Sequence, residues 1–194
     1  MPFALELALD ERTGAVVRRL WAALAAAALD DSMVVAGAVP HVSLAVCDSV
    51  QAARLTRVVE REARLQPPVP CTFGSLGVFP STGVVFVAPL VRTELLRLYA
   101  RVHRRIAPYV GGLWPYYTPA AWVPHCTLAI HTTPPTLPAI LEVCAAMPLP
   151  LSGQLAAIEV VEFPPVRTMC SFALRGVCRK DGTPRAPRRR RGGD

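Results

Sequence analysis

The sequence predicts an α+β protein made of two similar lobes, and three observations carry that prediction. First, Val39-Pro40-His41-Val42-Ser43-Leu44-Ala45-Val46 and Val123-Pro124-His125-Cys126-Thr127-Leu128-Ala129-Ile130 agree at five of eight positions, and every difference is conservative. Second, strand-like and helix-like segments follow one another in a similar order around both copies, with His41 and His125 separated by 84 residues. Third, the chain has 194 residues and is 52% hydrophobic, which is enough to bury a sizeable core. A single repeat of this length favours paired lobes over a solenoid. Residues 1–178 are read as one bilobal domain and residues 179–194 as a basic, disordered tail.

Each element has a local reason. Residues 3–9 alternate loosely between apolar and polar side chains, as a first strand does. Asp10 and Thr13 cap a long Ala-rich helix to about residue 29, with Val16, Leu20 and Leu24 on one stripe. Residues 39–47 form the first motif strand. Asp48 or Ser49 caps a helix over 50–65 whose outward face carries Arg54, Arg57, Glu60, Arg61 and Arg64, and Gln66-Pro67-Pro68 stops it. Strands follow at 71–78 and 83–88, the second a β-branched apolar run. A helix over 93–107 places Leu95, Leu98, Tyr99, Val102 and Ile106 on one face. Residues 111–121 read as an aromatic, Pro-rich loop leading into the second motif strand. Thr133-Pro134-Pro135 marks a helix start, running to about residue 147. Strands at 155–163 and 168–176 complete the body.

Charge and composition exclude several classes. The net charge of +7 is concentrated at the end: residues 179–194 hold seven basic and two acidic side chains, leaving +2 for everything before them. The body is therefore no general polyanion binder. The tail, with Arg188-Arg189-Arg190-Arg191, offers weak non-specific contact to RNA, and a merely solvated end has the same composition. The longest Ala/Leu-rich run is ten residues between Arg18-Arg19 and Asp30-Asp31, too short to span a bilayer. Glu6, Asp10 and Glu11 stand where a signal peptide would carry basic residues. A cytoplasmic monomer without membrane contact is expected. Six cysteines (Cys47, Cys71, Cys126, Cys144, Cys170 and Cys178) show no zinc-site spacing and read as reduced, partly buried thiols.

The chemistry lies in the doubled motif. Strand alternation puts His41, Ser43 and Ala45 on one face and Val42, Leu44 and Val46 on the other. In the second copy it separates His125, Thr127 and Ala129 from Cys126, Leu128 and Ile130. One face is core; the other carries imidazole, hydroxyl and a small alanine that leaves room for a ligand. Imidazole exchanges protons near neutral pH, so two of them flanking a phosphate supply base and acid together. The hydroxyls of Ser43 and Thr127 bind non-bridging phosphate oxygens and stabilise developing charge. No metal or cofactor is required. One such motif is unremarkable, but core packing gives no reason to repeat a polar pair inside two hydrophobic strands.

These residues resemble the paired H-x-(T/S) signatures of the 2H phosphoesterase superfamily, close to its 2′-5′ RNA ligase-like and cyclic phosphodiesterase branches. The likeness extends to Gly83-Val84-Val85-Phe86-Val87-Ala88-Pro89 with the Leu-rich helix after it, and to Trp122 ahead of the second motif. The resemblance implies two antiparallel sheets facing a central cleft, pseudo-two-fold symmetry, helices outside, and metal-independent hydrolysis of cyclic or 2′-linked phosphodiesters. It gives His41 and His125 the catalytic positions and Ser43 and Thr127 the phosphate-binding ones; the first motif has Ser where Thr is commoner. By analogy His125 activates water and His41 protonates the leaving ribose oxygen, although near-symmetry permits the reverse.

Tyr117, Trp122 and Phe79 are candidates for stacking a base. Trp122 lies an odd number of steps from His125, which turns it toward the core in a regular strand, so Tyr117 is the better placed. The leading expectation is a phosphodiesterase for a 2′,3′-cyclic phosphate of RNA or a nucleotide, or for ADP-ribose 1″,2″-cyclic phosphate. Cleavage or joining of 2′-5′ linkages and a non-catalytic nucleotide- or RNA-binding module are the alternatives.

Overall fold

Asp10 shows how local chemistry builds this fold. Its carboxylate accepts from the backbone N–H and the hydroxyl of Thr13, each at 2.9 Å, and from the Gln154 amide. The first helix is thereby capped and tied to a strand 144 residues away. Gly153 leaves the space that Asp10 and Thr13 occupy. Burial opposes ionisation of Asp10, but the amides of Thr13 and Gln154 outweigh it and hold the carboxyl below its usual range.

The computed structural model describes residues 1–176; the basic tail and Cys178 lie outside the described residues. In chain order the elements are β1 (Phe3–Leu9), α1 (Glu11–Ala26), α2 (Ser32–Val35), β2 (His41–Val50), α3 (Ala52–Leu65), β3 (Val69–Phe79) and β4 (Val84–Pro89). There follow α4 (Thr93–Ile106), β5 (Val110–Leu113), β6 (Cys126–Ala129), α5 (Leu137–Ala145), β7 (Leu151–Glu162) and β8 (Arg167–Ala173). No described helix is long and apolar enough to cross a membrane.

The strands are antiparallel and ordered β5-β2-β1-β7-β3-β4-β6, with β8 also on β7. The α+β class and doubled architecture hold, but the two expected sheets are joined into one. The cause is the length of β7: its Leu155–Glu162 portion pairs with β1, and Leu151–Leu155 takes β3 on the other edge. The repeat is also framed differently from the sequence reading. The unit is β1-α1-β2-α3-β3, matched by β4-α4-β6-α5-β7. The order β2-β1-β7-β3-β4-β6 reads the same from either end once the equivalent strands are exchanged.

Helices cover one face of this sheet. Val17, Leu20, Trp21 and Leu24 of α1, Leu55 and Val59 of α3, Leu95, Leu98 and Val102 of α4, and Ile140 of α5 pack on Leu5, Leu7, Val42, Leu44, Val85 and Val87. On the opposite face Ala4, Val46 and Val161 form a small apolar cluster, with Tyr117, Phe163 and Val166 against it. Between α3 and α4, buried Glu62 takes Arg101 at 2.8 Å and Arg105 at 3.3 Å.

Several boundaries differ for identifiable reasons. Helix α1 ends at Ala26 because Ala28 turns left-handed (φ 52°) and the amides of Ala28 and Leu29 bond back to Ala25 and Leu24, a Schellman closure. Helix α3 has no side-chain cap, Gln51 standing at its N-cap in place of Asp48 or Ser49. Strand β5 occupies part of the expected loop: Gly111 and Gly112 let it approach β2 where Cβ atoms would meet Ser49 and Asp48. Helix α5 starts late because Thr133 to Thr136 close a hydroxyl-linked turn first.

Two stability measurements follow. Asp10→Ala is expected to lower the unfolding free energy by about 1–2 kcal/mol at neutral pH in urea titration. A carboxyl depressed by folding contributes stability above its ordinary pKa of 3.8 and loses it as pH falls through the folded value. The deficit should therefore shrink below about pH 4; a deficit unchanged in acid would contradict an ionised cap. Ala28→Gly should raise stability by up to about 1 kcal/mol by relieving the left-handed backbone, and a lowered midpoint would argue against that closure.

Candidate functional site

One extra residue in each motif strand positions the site. Glu6 pairs with Ser43 and Leu5 with Ala45, so Leu44 is a bulge; Phe86 pairs with Thr127 and Val85 with Ala129, so Leu128 is the same bulge in the second half. Strict alternation had put Ala45 and Ala129 beside the hydroxyls with room for a ligand. The bulges overturn this: both alanines join the main core, 1% and 0% exposed. Before the bulge, His41, Ser43, His125 and Thr127 are all half-buried, away from the helices.

Both imidazoles are oriented alike. His41 Nδ1 lies 2.6 Å from the Val39 carbonyl, and His125 Nδ1 lies 2.7 Å from the Val123 carbonyl, each reaching back across a proline. A carbonyl only accepts, so each Nδ1 carries the hydrogen and each Nε2 is left for proton exchange. The motif strands also meet one another: the His41 backbone N–H lies toward the Cys126 thiol, and the charge on His41 acts on His125. Burial pushes the Cys126 thiol up to about 12, which keeps it protonated and unreactive.

Among the described residues no strand is hydrogen-bonded to the outer edge of either motif strand at the motif. Strand β6 ends the sheet, and β5 pairs with β2 only from Cys47 onward. Indoles satisfy carbonyls there, each reaching across from the other half: Trp122 Nε1 donates to the Ser43 carbonyl at 2.9 Å and Trp21 Nε1 to the Thr127 carbonyl at 3.1 Å. Trp122, a stacking candidate by sequence, has one ring face against Tyr99, with centroids 3.9 Å apart and planes within 6°. The Tyr99 hydroxyl in turn donates to the Tyr117 carbonyl at 2.9 Å. Tyr117 directs its phenol at the Ser43 hydroxyl; burial raises its pKa, and the charge of Glu6 adds to that.

The two halves differ in what surrounds the imidazole. Phe79 meets His125 edge-on at 5.0 Å, and Phe86, lying over Gly77, is 5.2 Å away. Burial lowers the His125 pKa below its ordinary 6.5; the Val123 carbonyl opposes this, and the His41 charge reinforces it. His41 instead has Glu6 Oε1 3.3 Å from Nε2. The sequence reading overlooked Glu6 as a site residue, though a lone acid inside the apolar strand FALELAL was a signal. Among the described residues no group of three or more His, Cys, Asp or Glu is placed to hold a metal ion.

Comparisons with known proteins agree with this fold. TT0787 of Thermus thermophilus superposes with a TM-score of 0.61 at 18% identity, covering 91% of this chain and 99% of its own. Escherichia coli LigT in its apo form gives 0.58 at 16%, covering 89% and 96%, and its complex with 3′-AMP gives 0.58 at 16%, covering 90% and 99%. At these identities the likeness is one of fold. No curated protein sequence matches the chain. The 2′-5′ RNA ligase superfamily model matches residues 10–164, a span that takes in both histidine motifs and six of the eight strands, with β1 and β8 outside it. By that match the chain belongs to the 2′-5′ RNA ligase superfamily, within the 2H phosphoesterases.

Proposed function

We propose that this chain is a metal-independent phosphodiesterase that opens a 2′,3′-cyclic phosphate of RNA or a nucleotide, or ADP-ribose 1″,2″-cyclic phosphate. The observation that carries the reading is the matched pair of histidines with Nδ1 bound to carbonyls, His41 beside Ser43 and His125 beside Thr127. His125 Nε2 takes a proton from water, and the resulting hydroxide attacks phosphorus. The bond to one ribose oxygen breaks, and His41 delivers a proton to that oxygen, leaving a monoester. Ser43 and Thr127 hydrogen-bond the non-bridging oxygens as charge builds on them.

The lowered pKa of His125 supports its role as base, since a base must arrive unprotonated. Phe79, edge-on to His125 and only partly buried, and Tyr117 are the surfaces for a base or ribose; Trp122 offers at most its free face. E. coli LigT complexes with 3′-AMP, with ATP and with NADP+ support a nucleotide ligand. The family match favours one second reading, cleavage or joining of 2′-5′ linkages by the same four side chains. A non-catalytic nucleotide-binding module would bind such ligands without turnover. The basic tail is proposed only as weak additional contact to RNA, with the protein acting as a cytoplasmic monomer.

A panel of 2′,3′-cyclic nucleotides, ADP-ribose cyclic phosphate and 2′-5′ oligoadenylate, assayed with EDTA present, should show turnover of at least one member. His41→Ala and His125→Ala should each lose about a thousandfold or more; full activity in either variant would reject the paired mechanism.

The rate should follow a bell against pH. Its acid limb, set by His125, should fall below about pH 6.5, because burial depresses that group. Its alkaline limb reports loss of the proton from the acid, His41. A single sigmoid without an acid limb would exclude a titrating base.

A further inference from the structure

The pseudo-symmetry fails at one register position that matters for proton inventory. Opposite Ser43 on β1 stands Glu6; opposite Thr127 on β4, at the equivalent place, stands Phe86. Glu6 is 6% exposed, and a carboxylate so placed must be paired or neutral. Its neighbours limit the choices. His41 Nδ1 is committed to the Val39 carbonyl, so the nitrogen 3.3 Å from Glu6 is Nε2. A lone pair beside a carboxylate is repulsive; a single proton carried by either group removes the repulsion.

On the other side, Glu6 pairs across the sheet with Glu159, which pairs with Ser171 on β8. The Ser171 hydroxyl donates to Glu159 at 2.6 Å. Glu159 thus has a hydroxyl partner of its own, which leaves His41 as the side chain that Glu6 faces across the pair. Burial drives the Glu6 carboxyl upward, the His41 charge opposes this, and Glu159 adds to the rise. The other groups that feel Glu6 are the half-buried Tyr117 phenol and the buried Cys126 thiol, both raised.

We propose that Glu6 is a positioning residue that keeps a proton on the His41–Glu6 pair, making His41 the acid and fixing which ester oxygen leaves. The inference rests on the acid/base reading above and deepens it. The leaving oxygen departs on the side of β1 and β2, under the carboxylate. The attacking oxygen is activated on the side of β4 and β6, where Phe79 and Phe86 surround a neutral imidazole. At 3.3 Å the Glu6 contact is one of charge more than a short hydrogen bond, so Nε2 keeps a direction for the substrate oxygen. When His41 gives up its proton, the pair recovers one from solvent and the cycle closes.

The test is a histidine NMR titration of the full chain, with the His41 signal assigned by its absence in His41→Asn. Glu6→Gln keeps shape and removes charge. His41 should then titrate about one pH unit or more lower, and the alkaline limb of kcat/KM should move acidward by the same amount with an unchanged melting temperature. Glu6→Asp should restore part of the shift. In the wild-type protein, the labelled Glu6 carboxyl should titrate together with His41, which needs no variant to fold. An unmoved His41 titration in Glu6→Gln, or a Glu6 carboxyl titrating alone in the ordinary range, would overturn the proposal. Absence of wild-type turnover across the panel would sink the functional reading instead, and the NMR result would still decide the role of Glu6.

Discussion

A single inserted residue per motif strand, Leu44 in one half and Leu128 in the other, is the constraint on which the arrangement depends. A strand with strict alternation gives one face to the core and one to the cleft along its whole length. The bulge lets the same short strand present histidine and hydroxyl to the open face and then pack Leu44-Ala45 or Leu128-Ala129 into the helix-covered core. It also leaves Val46 free to join Ala4 and Val161 on the opposite face, forming the small cluster under Tyr117. Polar chemistry and hydrophobic anchoring are thus separated by one backbone step.

The sequence revealed the doubling, the class and the elements because each rests on local signals: a repeated octapeptide, apolar periodicity and Pro or Thr punctuation. Leu95, Leu98, Tyr99, Val102 and Ile106 face the core as their spacing predicts. What it concealed was register. A bulge adds no residue type that marks it, so Leu44 and Leu128 read as ordinary strand positions. The Gly111-Gly112 pair reads as a loop when only the packing of β5 on β2 shows why side chains are excluded. Joining two sheets through one long β7 is a matter of pairing between distant segments, which periodicity cannot report.

The candidate site was legible to the same degree and for the same reason. His41, Ser43, His125 and Thr127 sit in motifs that announce themselves by repetition. Glu6 has no repeat, because Phe86 occupies the equivalent place. Repetition exposes what two halves share and hides what distinguishes them. In this molecule the distinction falls on the charge and solvation of two otherwise matching imidazoles: His41 beside a buried carboxylate, His125 against two phenyl rings.

The pairing of β7 with β3 has a geometric consequence. These are the third strands of the two units, and they pair antiparallel at the centre of the palindromic order. A lone β-α-β-α-β unit would reproduce that junction by pairing its third strand with the same strand of a second copy. The architecture is that of a two-fold homodimer written as one polypeptide. Carried on one polypeptide, the halves need not be identical, so that an acid and a phenyl ring occupy corresponding places, an option closed to any assembly of two identical chains.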